Sequence, residues 1–197
     1  PMSVLLIAGS PSEHSRSAAL LDAVSQRLAA QRIHFDRISV RDLSPQALLL
    51  ADFNHKTITR ATAQVACARV IVIATPVYKA AYSGVLKVFL DLLAQDALAD
   101  KVVLPLATGG SAHHMLALDY ALRPVLQSLA ARQILPGVYA TDAQVPKDEF
   151  GDYAVGEDIA TRLDQSVARL ISEGLTPPTK PAHGFEPIAF STVRCSV

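Results

Sequence analysis

Apolar residues follow two rhythms along this chain: short unbroken runs, and longer stretches that repeat every three or four positions. Val4–Ala8 is an unbroken run closed by Gly9-Ser10-Pro11. A strand buried on both faces reads this way, because neither face has to meet water. From Ser15 to Ala30 the apolar positions are Leu20, Leu21, Val24 and Leu28, which predicts a helix with Ser15 as its N-cap. His34–Val40 alternates more strongly, as an edge strand does. Thr57–Ala68 predicts a second helix, and Arg69–Ala74 a second buried strand. Thr75-Pro76 should end that strand, since proline lacks a ladder donor and restricts its predecessor. Gly84–Leu93 is amphipathic, with Val85, Leu86, Val88, Phe89, Leu92 and Leu93 on a wide face. Lys101–Ala107 is a third buried strand ended by Thr108-Gly109-Gly110, followed by a long helical segment over Ala112–Ala131. A fifth strand at Ile134–Thr141 and a last helix at Val155–Glu173 complete the series.

Strands alternating with helices predict a parallel sheet covered by helices on both sides. Five strands in this sequence predict an α/β, flavodoxin-like, three-layer doubly wound fold with strand order 2-1-3-4-5. A chain of 197 residues favours a single domain, here residues 3–174. The remainder, 175–197, carries Pro177, Pro178, Pro181 and Pro187 and is expected to be an extended or disordered tail, or to wrap a neighbouring subunit.

Composition narrows the function. Lys+Arg and Asp+Glu are 18 each, so no global field draws the chain to nucleic acid or an anionic membrane. No apolar run approaches the ~20 residues of a membrane span, and Ser3–Ala8 is too short for a signal sequence and lacks a basic lead. Cys67, in a Val-Ala-Cys-Ala context that reads as packed core, and Cys195 are far apart. No disulfide framework or metal-ligand spacing is evident, which suits a reduced, cytoplasmic setting.

A doubly wound sheet binds ligands beyond the carboxyl ends of its strands, where strand order reverses. Three loops meet there. Gly9–Ser17 joins a buried strand to a helix start, so free amides, four serine hydroxyls and Arg16 are available to an anion. An ordinary serine-rich turn with a capped helix reads the same way. Only Gly9 is present of the three glycines a dinucleotide loop wants, and the Gly-Lys-Ser/Thr of a P-loop is absent, so a mononucleotide with one terminal phosphate fits better. Thr75–Gly84 offers a rigid Pro76 wall with Val77 and Tyr78 for a flat, partly apolar ring, although a tyrosine-bearing surface loop is also consistent with it. Thr108-Gly109-Gly110-Ser111 lets backbone approach a planar ligand, though glycines are also routine turn formers.

With these three loops in view, the chain resembles a known family. Ala8-Gly9-Ser10-Pro11 with Ser15-Arg16-Ser17, then Ala74–Gly84 with Leu86-Lys87, then Leu104–Gly110 are similar to the NADPH-dependent FMN reductases. More closely, they resemble the FMN reductases of bacterial alkanesulfonate and methanesulfonate utilisation. The resemblance runs from about Ser3 to Val145. It implies that Ser10, Ser15, Arg16 and Ser17 hold the FMN phosphate, that Pro76, Val77 and Tyr78 lie along the isoalloxazine, and that Thr108, Gly109 and Gly110 close its other side. It also implies NAD(P)H as hydride donor, a homodimer or homotetramer, and delivery of reduced FMN to a separate FMNH2-dependent monooxygenase.

Pro124 lies inside the predicted helix of 112–131 and has no N–H for the carbonyl of Tyr120. A regular interior proline costs ~3 kcal/mol, enough to force an irregular turn centred on Tyr120–Pro124, or a break and restart there. The family resemblance implies a π-bulge at Tyr120, with an interface and flavin-gating role. His113 and His114 flank the third loop, but hydride transfer needs no general base, so a capping or interface role is expected and no catalytic acid–base residue is named. A quinone or azo reductase holding FMN permanently, a flavodoxin-type electron carrier and a non-enzymatic mononucleotide-binding regulator are the competing readings. The sequence does not distinguish NADH from NADPH.

Overall fold

The apolar runs form the centre of the sheet. In β1 (Val4–Ala8) all five residues are buried, and in β5 (Val102–Gly109) all eight. The structure, a computed structural model, describes residues 4–176. Around this centre the chain order is β1, α1 (Arg16–Ala30), β2 (Phe35–Ser39), α2 (Pro45–Leu49), α3 (Lys56–Cys67), β3 (Val70–Tyr78), β4 (Ala81–Tyr82), α4 (Gly84–Leu90), β5, α5 (Arg123–Ser128), β6 (Gln133–Ile134), β7 (Val138–Thr141) and α6 (Glu157–Leu170). The sheet order is β2-β1-β3-β5, with β6 and β7 both parallel to β5 on its far side. This is the expected 2-1-3-4-5 order, with the fifth strand in two pieces and one added strand, β4, at the end of β3.

Each break has a local cause. Pro105 sits within β5 opposite Ile73 and brings no donor to the ladder. Beside it the fifth strand is interrupted at Leu135-Pro136-Gly137, where a Cβ on Gly137 would stand 3.0 Å from the Pro105 carbonyl oxygen and 2.8 Å from Leu118 Cδ1. The expected stop of the second buried strand at Thr75-Pro76 is corrected: β3 runs on to Tyr78. Past Pro76 it becomes one arm of a hairpin, with Tyr78 opposite Ala81. Lys79 and Ala80 make its turn with φ of +51° and +64°, so both adopt the left-handed backbone normally left to glycine or asparagine. Likewise β5 continues through Thr108 and Gly109 instead of ending before them.

Strand side chains alternate between two cores. Leu6, Val72 and Leu104 face α1 and α6, meeting Leu20, Val24, Leu163 and Val167. Leu5, Ile7, Ile71, Ile73 and Val103 face α3, α4 and α5, meeting Ile58, Val65, Leu86, Phe89 and Leu126. Cys67, expected in the core, is instead exposed at the last position of α3.

The helical stretch around Pro124 is three pitches in series: a 3-10 turn at Ala112–Leu116, a π-helix at Ala117–Leu122, and α5, which takes Pro124 into its first turn. First-turn amides have no helical acceptor, so proline is tolerated there. The irregularity lies where expected, but a single helix over 112–131 does not form. The last helix also ends early, at Leu170, and continues as a π-turn over Ile171–Leu175. There Gly174 packs so closely that a Cβ would lie 2.4 Å from Val70 Cγ2. Beyond Leu175 and Thr176, the tail expected over 175–197 lies outside the described residues, as does Cys195. No helix among the described residues is long and apolar enough to cross a membrane.

Candidate functional site

Six polar or charged side chains among the described residues are buried, and five of them, Ser10, Ser17, Thr75, Ser83 and Thr108, gather at the carboxyl ends of β1, β3 and β5. Buried hydroxyls need partners. The Thr75 hydroxyl donates to the Pro76 carbonyl and accepts the Ser83 amide at 3.0 Å. Ser83 donates to the Gly9 carbonyl and accepts the Leu86 amide at 3.1 Å, capping α4. Gly9 in turn donates to Ala74 O at 2.8 Å, and a Cβ there would sit 3.0 Å from Leu86 Cβ and 3.1 Å from that same oxygen. The first two loops are therefore bolted together through groups that permit close approach.

Beside this junction lies a cleft of about 260 Å³ lined by Ser12, His14, Ser15, Arg16, Pro76, Val77, Tyr78, Thr108, Gly109, Gly110, Asp142 and Tyr153. The three loops singled out in the sequence thus share one cavity. Ser15 caps α1 by accepting the Ala18 amide at 3.1 Å, leaving earlier amides of that turn for a ligand. Arg16 is held from three sides. Its Nε donates to Val145 O at 3.0 Å, its guanidinium lies 4.8 Å over the Tyr153 ring, and Nη1 is 3.4 Å from Asp142 Oδ2.

Two expected phosphate ligands are not on the cleft wall. Ser10 turns its hydroxyl to the Ser12 amide at 3.1 Å, and Ser17 is buried 3.3 Å from the Ser15 hydroxyl. They shape the loop from behind. Tyr120 also lies outside the cleft lining; it is 78% exposed on the π-helix. Gly109 is on the wall, but its lack of a side chain answers a protein neighbour: a Cβ would fall 2.5 Å from Tyr139 Oη. That phenol donates to Ser111 O at 2.6 Å, and burial, then the nearby Asp142 charge, raises its pKa above the ordinary value.

Ser12, His14, Asp142 and Tyr153 line the cleft but were not among the candidates. Ser12 and His14 belong to the first loop. Asp142 directly follows the fifth strand, so the carboxyl-end rule, applied to that strand as well, could have found it. Tyr153 arrives on a later loop held by the Asp148 carboxylate, which accepts the amides of Phe150 and Asp152 at 2.9 Å; its sequence gives no such signal. A larger hollow of about 510 Å³ lies at the opposite end of the sheet, between α3 and Leu93–Lys101. The Lys101 ammonium there is occupied by the carbonyls of Ala66 and Ala68, at 3.1 and 2.7 Å. Burial lowers the Lys101 pKa, and the other walls are mostly alanine, leucine and threonine. The smaller cleft has the convergent donors that a ligand site needs.

The donor set sorts along the cleft. One end has hydroxyls, a guanidinium and a helix N-terminus, which suit a phosphate monoester. The other has Pro76, Val77 and Tyr78 beside Thr108, Gly109 and Gly110 of the neighbouring strand, which suit a flat ring with a polar edge. The residues present therefore fit FMN.

Known proteins agree with FMN as the ligand. The model of the NADPH-dependent FMN reductase family matches residues 2–145. An FMN reductase (NADPH) of Escherichia coli (strain K12) is 48% identical over 166 residues, 84% of this chain and 86% of that protein. The NADH-dependent FMN reductase SfnE of Pseudomonas putida is 33% identical over 184 residues, 87% of this chain and 91% of that protein. Among solved structures, the apo form of an NADH:FMN oxidoreductase superposes with a TM-score of 0.80 at 37% identity, covering 90% of this chain and 92% of that one.

Proposed function

The chain belongs to the NADPH-dependent FMN reductase family and is an NAD(P)H-dependent FMN reductase; on that premise we propose that it makes reduced FMN for a separate FMNH2-dependent sulfonate monooxygenase. One observation carries the reading: a single cleft at the carboxyl edge of the sheet joins a phosphate-suited end to a ring-suited end. Ser12, Ser15 and Arg16 hold the phosphate, while Ser10 and Ser17 fix the loop behind them. Pro76, Val77 and Tyr78 flank the ring on one side, and Thr108, Gly109 and Gly110 on the other.

The chemistry supplied when FMN is bound is acceptance of a hydride from the nicotinamide, which the cofactors carry themselves. This chain's task is to hold the ring with one face open and to place the nicotinamide against it. At about 260 Å³ the cleft is smaller than sites that enclose a whole ligand, so part of the flavin stays accessible. Tyr120 and the exposed Met115 and Leu116 next to it form an apolar surface on the π-helix side. In this proposal that surface is the contact between subunits of a homodimer or homotetramer, and Tyr120 gates the flavin.

Initial rates at varied FMN and NAD(P)H test the proposal. Intersecting double-reciprocal lines, together with sulfite release when an FMNH2-dependent sulfonate monooxygenase is added, are expected. Parallel lines with a quinone or azo dye as second substrate, and no sulfite, would reassign the chain as a reductase with resident FMN.

A further inference from the structure

The cation of the phosphate end is already engaged. The Arg16 guanidinium is fixed by Val145 O at Nε and by the Tyr153 ring beneath it, so the edge it can offer is the one formed by Nη1 and Nη2. Asp142 covers the Nη1 side of that edge at 3.4 Å, with the Asp142 side chain 49% exposed and the Arg16 side chain 29% exposed. Both residues line the cleft. Asp142 also reaches the ring end, since a Cβ on Gly110 would lie 3.9 Å from its Oδ2. One carboxylate thus faces both halves of the cleft.

We propose that Asp142 sets how loosely the flavin is held, by competing with the phosphate for Arg16 and by repelling the dianion. This rests on the reading of Arg16 as the phosphate anchor. A guanidinium with a free edge would give the phosphate charge-assisted, two-point hydrogen bonding. Here a phosphate that takes both Nη1 and Nη2 has to displace the carboxylate from Nη1, and then sits beside it. The cost falls on the phosphate alone, so a flavin without one does not feel it. A reductase that must release its product gains from such a counterweight.

The backbone around Asp142 does not depend on its side chain. Thr141 and Gln144 close the turn between them, with the Thr141 amide donating to Gln144 Oε1 at 2.9 Å. Asp142→Asn keeps the shape and removes the charge; Asp142→Glu keeps the charge.

The test is equilibrium titration of the full chain with FMN and with riboflavin, followed by flavin fluorescence, at low and high salt. Asp142→Asn is expected to tighten FMN by about tenfold at low salt, a value discounted for the exposure of the pair. High salt should shrink the gain. Riboflavin affinity should stay within about twofold, because neutral ligands are blind to this charge, and Asp142→Glu should bind FMN as the parent protein does. FMN held no tighter by Asp142→Asn, while the parent protein prefers FMN to riboflavin, overturns the role of Asp142 alone. Equal tightening of both flavins overturns it too, because it would show a change of shape. A parent protein that binds the two flavins equally overturns the phosphate reading at Arg16 and the proposal with it.

Discussion

Gly109 and Tyr139 form a tight pair in the wall of the cleft. Replacing Gly109 by alanine places a methyl 2.5 Å from Tyr139 Oη and 3.3 Å from Val77 Cβ. The phenol has to move, yet it is anchored by its 2.6 Å bond to Ser111 O and its ring is buried. Overpacking of this kind costs about 1–3 kcal/mol, and losing the phenol hydrogen bond about 1 kcal/mol more. Gly109→Ala should therefore lose about 2–4 kcal/mol. Tyr139→Phe alone should lose about 1 kcal/mol, because Ser111 O loses its donor. The double variant is the informative one. Without Oη the nearest ring atom is Cζ, 3.5 Å from the added methyl, which is ordinary contact distance. The pair should then cost only what the 3.3 Å approach to Val77 Cβ adds to Tyr139→Phe, a coupling of about 2 kcal/mol. Urea unfolding of the four proteins, with slopes compared to confirm a common transition, measures the cycle. Additive losses would refute the reasoning and show that Gly109 is needed for some other reason. FMN titration of the same proteins would show whether the wall geometry also limits the ring site: Gly109→Ala should weaken binding and the double variant should recover part of it.

Other expectations follow from single contacts. Burial and Asp142 raise the pKa of Tyr139, so the folded chain keeps this proton at a pH where the unfolded chain loses it. Stability should consequently fall as pH rises past about 10, and Tyr139→Phe should flatten that fall; alkaline melts that descend equally in both would contradict it. Ser83→Ala removes both the cap on α4 and the donor to Gly9 O. It should cost about 1–3 kcal/mol in urea unfolding, and a loss within error would mean the two loops are not joined through this hydroxyl. Arg16→Gln should weaken FMN by about 10–100-fold while sparing riboflavin, and equal weakening of both would count against the phosphate assignment.

The sheet and its order were legible because the central strands are apolar without a break: Val4–Ala8 and Val70–Ala74 have no wet face to alternate with. The irregular turn was legible through one proline, and its π pitch through the family resemblance. What escaped was set by tertiary neighbours. Nothing local announces a hairpin turn at Lys79-Ala80, since neither residue favours positive φ. The split of the fifth strand falls at Leu135-Pro136-Gly137, where Gly137 packs against the Pro105 carbonyl of the adjacent strand. At the site, loops following strands could be found by topology, and eight of the ten flavin-contact candidates, all but Ser10 and Ser17, do line the cleft. Ser10 and Ser17 are buried behind that lining, and a serine-rich loop does not show which hydroxyls turn inward. Tyr153 comes from a loop with no residue pattern tying it to Arg16.

The central claim is that this cleft reduces FMN, and the direct test is NAD(P)H oxidation by purified protein with and without added FMN, read with the absorbance spectrum as isolated. The account predicts a protein that oxidises NAD(P)H when FMN is supplied and reduces it in stoichiometric proportion. No oxidation with FMN present, in a folded protein, would contradict it.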